Sequence, residues 1–257
     1  MGDKIMFQLE RQKIMLDYVN KVKKATVSEL SEYLDISKVT VRRYLTELES
    51  KDLVIKTHGG ALSIDNELST DLPYAHKIDL HAAEKRRIGI AASKLVNDGD
   101  VIILDAGSTT FAIAQQIVNR DITVLTNDLK IAFELSTNSH VKLIISGGPV
   151  QKNVYTIIGS TSEGFFSKVH VDKVFLGADA FNLECGVTNR TLEEAAVKKA
   201  MIKAAEKVIL VTDSSKMDNK ALADICNIEE INTIVTDAVS EEYERAFKKS
   251  DINIILA

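Results

Sequence analysis

The chain has little of what builds cross-linked, fibrous or membrane-spanning structures. Its 257 residues include two cysteines, two prolines, twelve glycines and no tryptophan. Cys185 and Cys226 stand far apart, and no second Cys or His lies at metal-ligand spacing, so neither a disulfide framework nor a zinc site is indicated and a reducing compartment is expected. The glycines are too few for collagen. No apolar run approaches the roughly 18 residues of a spanning helix, and the opening MGDKIMFQLERQKIML is broken by charges before a signal-peptide core forms. A soluble, cytoplasmic protein without a membrane partner is the expectation. Neither GxGxxG nor a Walker loop occurs, which removes the usual markers of dinucleotide or triphosphate binding and leaves no cofactor indicated. What remains is ordinary globular composition, 45% hydrophobic and 27% charged, enough for one large or two modest domains.

The charge is unevenly placed. Residues 1–60 carry 11 Lys/Arg against 9 Asp/Glu, whereas the rest carries 21 against 28, within a net charge of −5. A slightly basic head on an acidic body points to a nucleic-acid module at the front.

That head shows helical spacing: Ile14, Leu16 and Val19; Val27, Leu30 and Leu34; then Val39, Val41, Leu45 and Leu48 as the expected buried positions of a third helix. Thr26-Val27-Ser28-Glu29 has the form of a capping box, and Ser37 is a good N-cap only a few residues past Leu34. So short a connection implies a steep crossing, as in a helix-turn-helix. Leu53 to Leu62 reads as strand, Gly59-Gly60 turn and strand, the wing of a winged helix. Ser37, Lys38, Thr40, Arg42, Arg43 and Tyr44 crowd the first turns of the third helix, where hydroxyls and a dipole end suit phosphate and Arg suits guanine edges. A small bundle with a merely solvated polar face is the alternative the helices leave open. Lys56, His58 and Gly59 on the wing supply a second phosphate-contacting element and favour DNA.

The run from Arg11 through VSELSEYLDISKVTVRRYLTELESKDLVIKTHGGAL resembles the N-terminal winged helix of the DeoR family of bacterial transcriptional regulators. Ser37, Thr40, Arg42, Arg43 and His58-Gly59-Gly60 match that family's pattern, while Tyr44 stands where Asp is more usual. The resemblance implies DNA binding over residues 1–62, followed by a linker at 63–83.

From 84 to 257, short β-branched runs alternate with helical stretches. The strands expected are 101–105, 122–126, 141–146, 173–177, 208–212, 233–236 and 252–256, with helices over 84–97, 108–120, 191–206 and 240–249. This is the pattern of βαβ units, so the fold class is α/β: a small winged head plus a larger domain with a mainly parallel sheet. Asp105, Gly107, Ser108, Thr109 and Thr110 form a hydroxyl-rich turn from strand to helix that suits an anion, although Ser108 serving only as a helix cap remains open. Thr126-Asn127, Gly147-Gly148, Gly177 with Asp179, and Lys216 end further strands. In an open parallel sheet such loops line one crevice. Lys216 offers a cation for phosphate, and Asp179 and Asn127 suit sugar hydroxyls.

This half resembles the same family's sensor domain, whose fold is related to ribose-5-phosphate isomerase. The resemblance implies a phosphorylated sugar effector held by 107–110, 177–179 and Ser215-Lys216, and supports Glu194 and Lys198 facing the crevice, although an ordinary i,i+4 surface pair remains open for those two. Leu176 and Ala180 stand where the isomerase has acidic residues, and Glu184-Cys185-Gly186-Val187 replaces its lysine-glycine segment, so binding without catalysis is implied. The expected function is a repressor of a carbohydrate-utilisation operon, acting as a dimer or larger homo-oligomer on operator DNA. A sugar-phosphate isomerase with a regulatory head and a structural DNA-binding protein are the alternatives.

Overall fold

The computed structural model describes residues 8–50, 53–57, 59–63, 81–137, 140–152 and 154–257. The chain divides into two compact units, Met1–Asp71 and Leu72–Ala257. The expected linker at 63–83 lies mostly outside the described residues; Ser63 still closes a strand, and Ala82 already opens a helix.

The first unit contains α1 (Gln8–Val22), β1 (Lys24–Thr26), α2 (Val27–Leu34), α3 (Lys38–Glu49), β2 (Val54–Thr57) and β3 (Gly60–Ser63). Met15, Val19, Leu30, Val41, Leu45 and Leu48 pack into its core. The capping box at α2 is complete: the Glu29 amide donates to Thr26 Oγ1 at 3.2 Å, and the Thr26 amide donates to the Glu29 carboxylate at 2.6 Å. Asp35, in the left-handed region at φ 50°, turns the chain from α2 into α3, whose N-cap Ser37 accepts from the Thr40 amide. The wing is a three-stranded antiparallel sheet in the order β1-β3-β2. Its third strand, β1, was not expected, because three residues are too few to show a period. The Val27 amide donates to Gly59 O at 2.8 Å, tying the wing turn to the start of α2. Gly60 lies so close to β1 that a Cβ there would stand 2.0 Å from Ala25 O, which is why the turn needs glycine.

The second unit is built on a seven-stranded parallel sheet of β4 (Val101–Leu104), β5 (Thr123–Thr126), β6 (Lys142–Ile145), β9 (Val171–Leu176), β12 (Ala205–Val211), β14 (Thr233–Thr236) and β15 (Asn253–Leu256). These are the seven expected strands, with ends shifted by up to three residues. Their order is β15-β14-β12-β9-β4-β5-β6. The chain thus lays β4, β5 and β6 toward one edge, returns to place β9 beside β4, and continues to the other edge. The reversal between β4 and β9 is a topological switch point.

Helices α4 (Ala82–Ser93), α5 (Ser108–Ala114), α6 (Leu129–Ser136), α7 (Ser160–Phe166), α8 (Leu192–Ala204) and α9 (Glu241–Lys249) cover the sheet. Successive β4 residues face opposite layers: Ile102 and Leu104 pack with Ile88, Ile113 and Ile131, whereas Ile103 packs with Phe166, Val197 and Met201. Sheets buried on both faces read as continuous apolar runs, as here. Beyond the expected elements are α6, α7, the hairpin β7 (Val150–Gln151) and β8 (Thr156–Ile157), and an antiparallel sheet of β10 (Ala180–Asn182), β11 (Gly186–Asn189) and β13 (Ala223–Cys226). Most are strands of two to four residues, too short for periodicity to reveal.

Candidate functional site

In the first unit, α3 presents Lys38, Val39, Arg42, Arg43 and Thr46 on its exposed side. The Ser37 and Thr40 hydroxyls lie 2.9 Å apart at its N-terminus, and Ser37 Oγ also accepts from the Thr40 amide at 3.1 Å, so both side chains are engaged at the cap. The Arg43 guanidinium approaches Glu47 at 3.9 Å and lies 5.3 Å from the centre of the Tyr44 ring. Lys56 reaches from the wing to donate to Thr46 Oγ1 at 2.7 Å, which places its charge against the middle of α3. Gly59 is exposed in the turn; His58 lies outside the described residues.

Two expectations are corrected here. Tyr44 is only 3% exposed and belongs to the core, because its position follows Val41 and precedes Leu48 on the packed side of α3. Its side chain is therefore in the core and not on the exposed face with Lys38 and Arg42. Val39, expected in the core, is 75% exposed. The 100° step of the helix puts position 39 with 42, 43 and 46 rather than with 41, 45 and 48.

In the second unit, the loops named from the sequence leave the carboxyl ends of β12, β9, β4, β5 and β6, which are contiguous in the sheet. At their centre, Asp105 ends β4 with no exposed surface. Its Oδ2 accepts from the Gly177 amide at 3.0 Å and from the Lys198 ammonium, while Lys198 also donates to Gly177 O at 3.1 Å. One aspartate and one lysine therefore lock the β4 and β9 loops together across the switch point. Burial by itself would lower the Lys198 pKa, but the carboxylates of Asp105, Glu194 and Asp179 outweigh it and hold the lysine above its ordinary value. The surface-pair alternative for Glu194 and Lys198 fails because Lys198 is 5% exposed. Glu194 instead accepts from Asn189 Nδ2 at 2.5 Å, and its amide is capped by Thr191 at 3.3 Å. Asp179 accepts from the Arg190 amide at 3.3 Å and stands 3.8 Å from its guanidinium.

The β4–α5 turn is tied to β5 by the Gly107 amide, which donates to Asp128 Oδ2 at 3.2 Å. Asp128 also caps α6 through the amides of Lys130 and Ile131, and burial raises its pKa. Ser108 is the first residue of α5 and makes no side-chain cap, so the capping alternative does not hold. The Thr110 hydroxyl donates to Gly107 O, and Thr126 Oγ1 accepts from the Asp128 amide. Asp105, Thr110 and Thr126 have no exposed surface, so these expected ligand contacts are corrected to groups that shape the loops from within. Thr109 is buried at the same turn.

Asn127 donates to Ile157 O at 3.1 Å, docking the β7–β8 hairpin, and its Oδ1 is buried without a hydrogen-bond partner among the described residues. Gly147 and Gly148 leave β6 exposed; at Gly148, φ is +139° and a Cβ would meet Ile158 O at 2.7 Å. Lys216 closes the turn after β12, where the Ser215 hydroxyl donates to the Asp213 carboxylate and the Ser214 amide donates to Asp237 at 2.7 Å. Gly177, Lys198 and Asp105 are thus joined directly, Gly107 is tied to Asp128 on the β5 side, and along the same rim Lys216 follows β12, next to β9, while Gly147 and Gly148 follow β6, two strands from β4. Arg190, Asn189 and Asp237 were not singled out from the sequence. Their partners lie 5 to 23 residues away and no local pattern links them. Leu176 is buried in the apolar core and Ala180 is buried beside it, so no carboxylate stands at either position.

Comparison with known proteins assigns both units. Residues 11–67 match the DeoR-like helix-turn-helix domain, and residues 80–238 match the DeoR C terminal sensor domain. The HTH-type transcriptional regulator GlpR of Haloferax volcanii is 33% identical over 243 residues, covering 93% of this chain and 94% of the relative. The HTH-type transcriptional repressor GlcR of Bacillus subtilis is 31% identical over 239 residues, covering 92% and 91%. Among solved structures, ribose 5-phosphate isomerase A from Methanocaldococcus jannaschii aligns at 18% identity with a TM-score of 0.41, over 53% of this chain and 55% of that one. With both domains matched in order and full-length regulators aligned nearly end to end, this chain belongs to the DeoR family of helix-turn-helix transcriptional regulators.

Proposed function

We propose that this regulator is a repressor of a carbohydrate-utilisation operon, and that a phosphorylated sugar bound at the rim of the parallel sheet sets its affinity for operator DNA. The observation that supports the ligand reading is the switch point, where polar loops follow the carboxyl ends of five contiguous strands and the Asp105–Lys198 pair joins the two at the reversal. The half-buried Ser108, Asp179, Glu194 and Lys216, with the exposed Gly147, supply hydroxyl, carboxylate, ammonium and backbone groups of the kind a sugar phosphate engages. The sign of regulation is supported by relatives named as repressors. An operator of two half-sites calls for a homodimer or larger assembly. Ligand control requires that the effector bind one state of the regulator better than another, so DNA and effector affect each other's affinity equally.

The test is fluorescence anisotropy of the full chain on its operator at fixed salt, titrated with sugar mono- and diphosphates. Salt is fixed because phosphate contacts make DNA affinity salt-dependent. One compound is expected to shift DNA affinity at micromolar concentration while its isomers and inorganic phosphate do not, and Ser108→Ala or Asp179→Ala is expected to abolish that shift without weakening DNA binding. Specific DNA binding that no phosphorylated sugar alters would leave a purely structural DNA-binding role.

A further inference from the structure

We infer that Val39 reads the methyl group of a thymine in the major groove and is a specificity-determining residue of this regulator. Val39 is the second residue of α3 and, at 75% exposure, contributes nothing to the core, which Val41, Leu45 and Leu48 supply from the opposite side. It shares its face with Lys38, Arg42, Arg43 and Thr46, all exposed. In a helix-turn-helix the N-terminal residues of the second helix are those that meet base edges. Lysine and arginine suffice for phosphates and guanine, and neither needs an apolar neighbour.

The thymine 5-methyl is the apolar feature of the major-groove edge, and an aliphatic side chain is its complement. A helical valine is held almost entirely in one rotamer, so little side-chain freedom is lost when it is pressed against a base. A single exposed valine elsewhere on a protein would need no explanation. Here it occupies the centre of the surface that reads DNA.

The test uses the full chain and an operator selected from a random duplex pool, at fixed salt. Each thymine of a half-site is replaced in turn by deoxyuridine, which removes only the methyl group. At one position per half-site the parent protein is expected to lose affinity about fourfold, the value of one buried methyl-sized group. Val39→Ala is expected to bind the unmodified operator about as weakly as the parent binds the deoxyuridine duplex, and to distinguish the two no longer, the signature of a direct pair in a double-mutant cycle. Lys38→Ala is expected to weaken binding to every duplex while keeping the deoxyuridine effect. The inference is overturned if Val39→Ala keeps the parent's discrimination, or if no thymine methyl in the selected operator matters. Because Val39 is outside the core, the thermal midpoint of Val39→Ala should match the parent and exclude misfolding as the cause.

Discussion

The two polar surfaces of this regulator are made in opposite ways. On α3, Lys38 and Arg42 stand in water on the outer side of a small bundle, whereas at the switch point of the second unit Lys198 and Arg190 are buried against Asp105 and Asp179. A helix that must meet a polyanion keeps its charges hydrated, because exposed charges are inexpensive to maintain and gain their energy when counterions leave the DNA. At the switch point the charges are instead held in fixed orientation. Desolvation then costs several kcal/mol per ion, and the charges survive only as pairs with further hydrogen bonds. The same residue types therefore dominate stability in one unit and binding in the other.

The largest effect expected from breaking this contrast is at the switch point. Lys198→Met leaves Asp105 buried without its counter-charge and Gly177 O without a side-chain donor, and should cost about 3–5 kcal/mol, read as a fall in the urea midpoint. Adding Asp105→Asn should recover part of the loss, since the uncompensated charge is gone while an acceptor for the Gly177 amide remains. On α3 the outcome should invert: Arg42→Ala is expected to lower operator affinity by about 1–3 kcal/mol while leaving the urea midpoint nearly unchanged.

The response to pH should also separate the units. In the second, burial pushes the Cys226 thiol from 9.0 up to about 12 and the Tyr243 hydroxyl from 10.0 up to about 12. The unfolded chain releases these protons first, so the stability they contribute is complete below pH 9 and is lost as pH rises toward 12. Cys226→Ala with Tyr243→Phe should flatten that alkaline decline in urea melts taken across the range. In the first unit the direction is reversed: the Thr26 backbone amide, followed by its side chain, holds the Glu29 carboxyl below 4.5, so the capping contribution is present above that pH and fades as acid protonates it. Glu29→Gln should remove this acid sensitivity. The smallest effect is expected for Thr26→Ala, about 1 kcal/mol from loss of the other half of the box, measured by thermal melting of the first unit.

Much of this was legible from sequence where the governing contacts are local. The capping box at Thr26 and Glu29, the Ser37 cap and the glycine turn of the wing depend on neighbours within a few residues. The seven parallel strands were legible because burial on both faces turns each into an apolar run. Tyr44 and Val39 were misplaced for one reason: residue type was allowed to outweigh helical phase, which sends an aromatic inward and a valine outward. Asp105 and Lys198, 93 positions apart, could be named but not joined.

The sequence by itself determined the seven parallel strands, the helices of the head and which side of α3 carries charge, since propensity, capping and periodicity act along the chain. The tertiary structure alone decided that β4 and β9 would be neighbours, that five loops would share one rim, and that Lys198 would be buried against Asp105. Those outcomes follow from the order in which strands add to the sheet and from the electrostatic need to pair a charge once it leaves water, and both bring together residues that no local pattern connects.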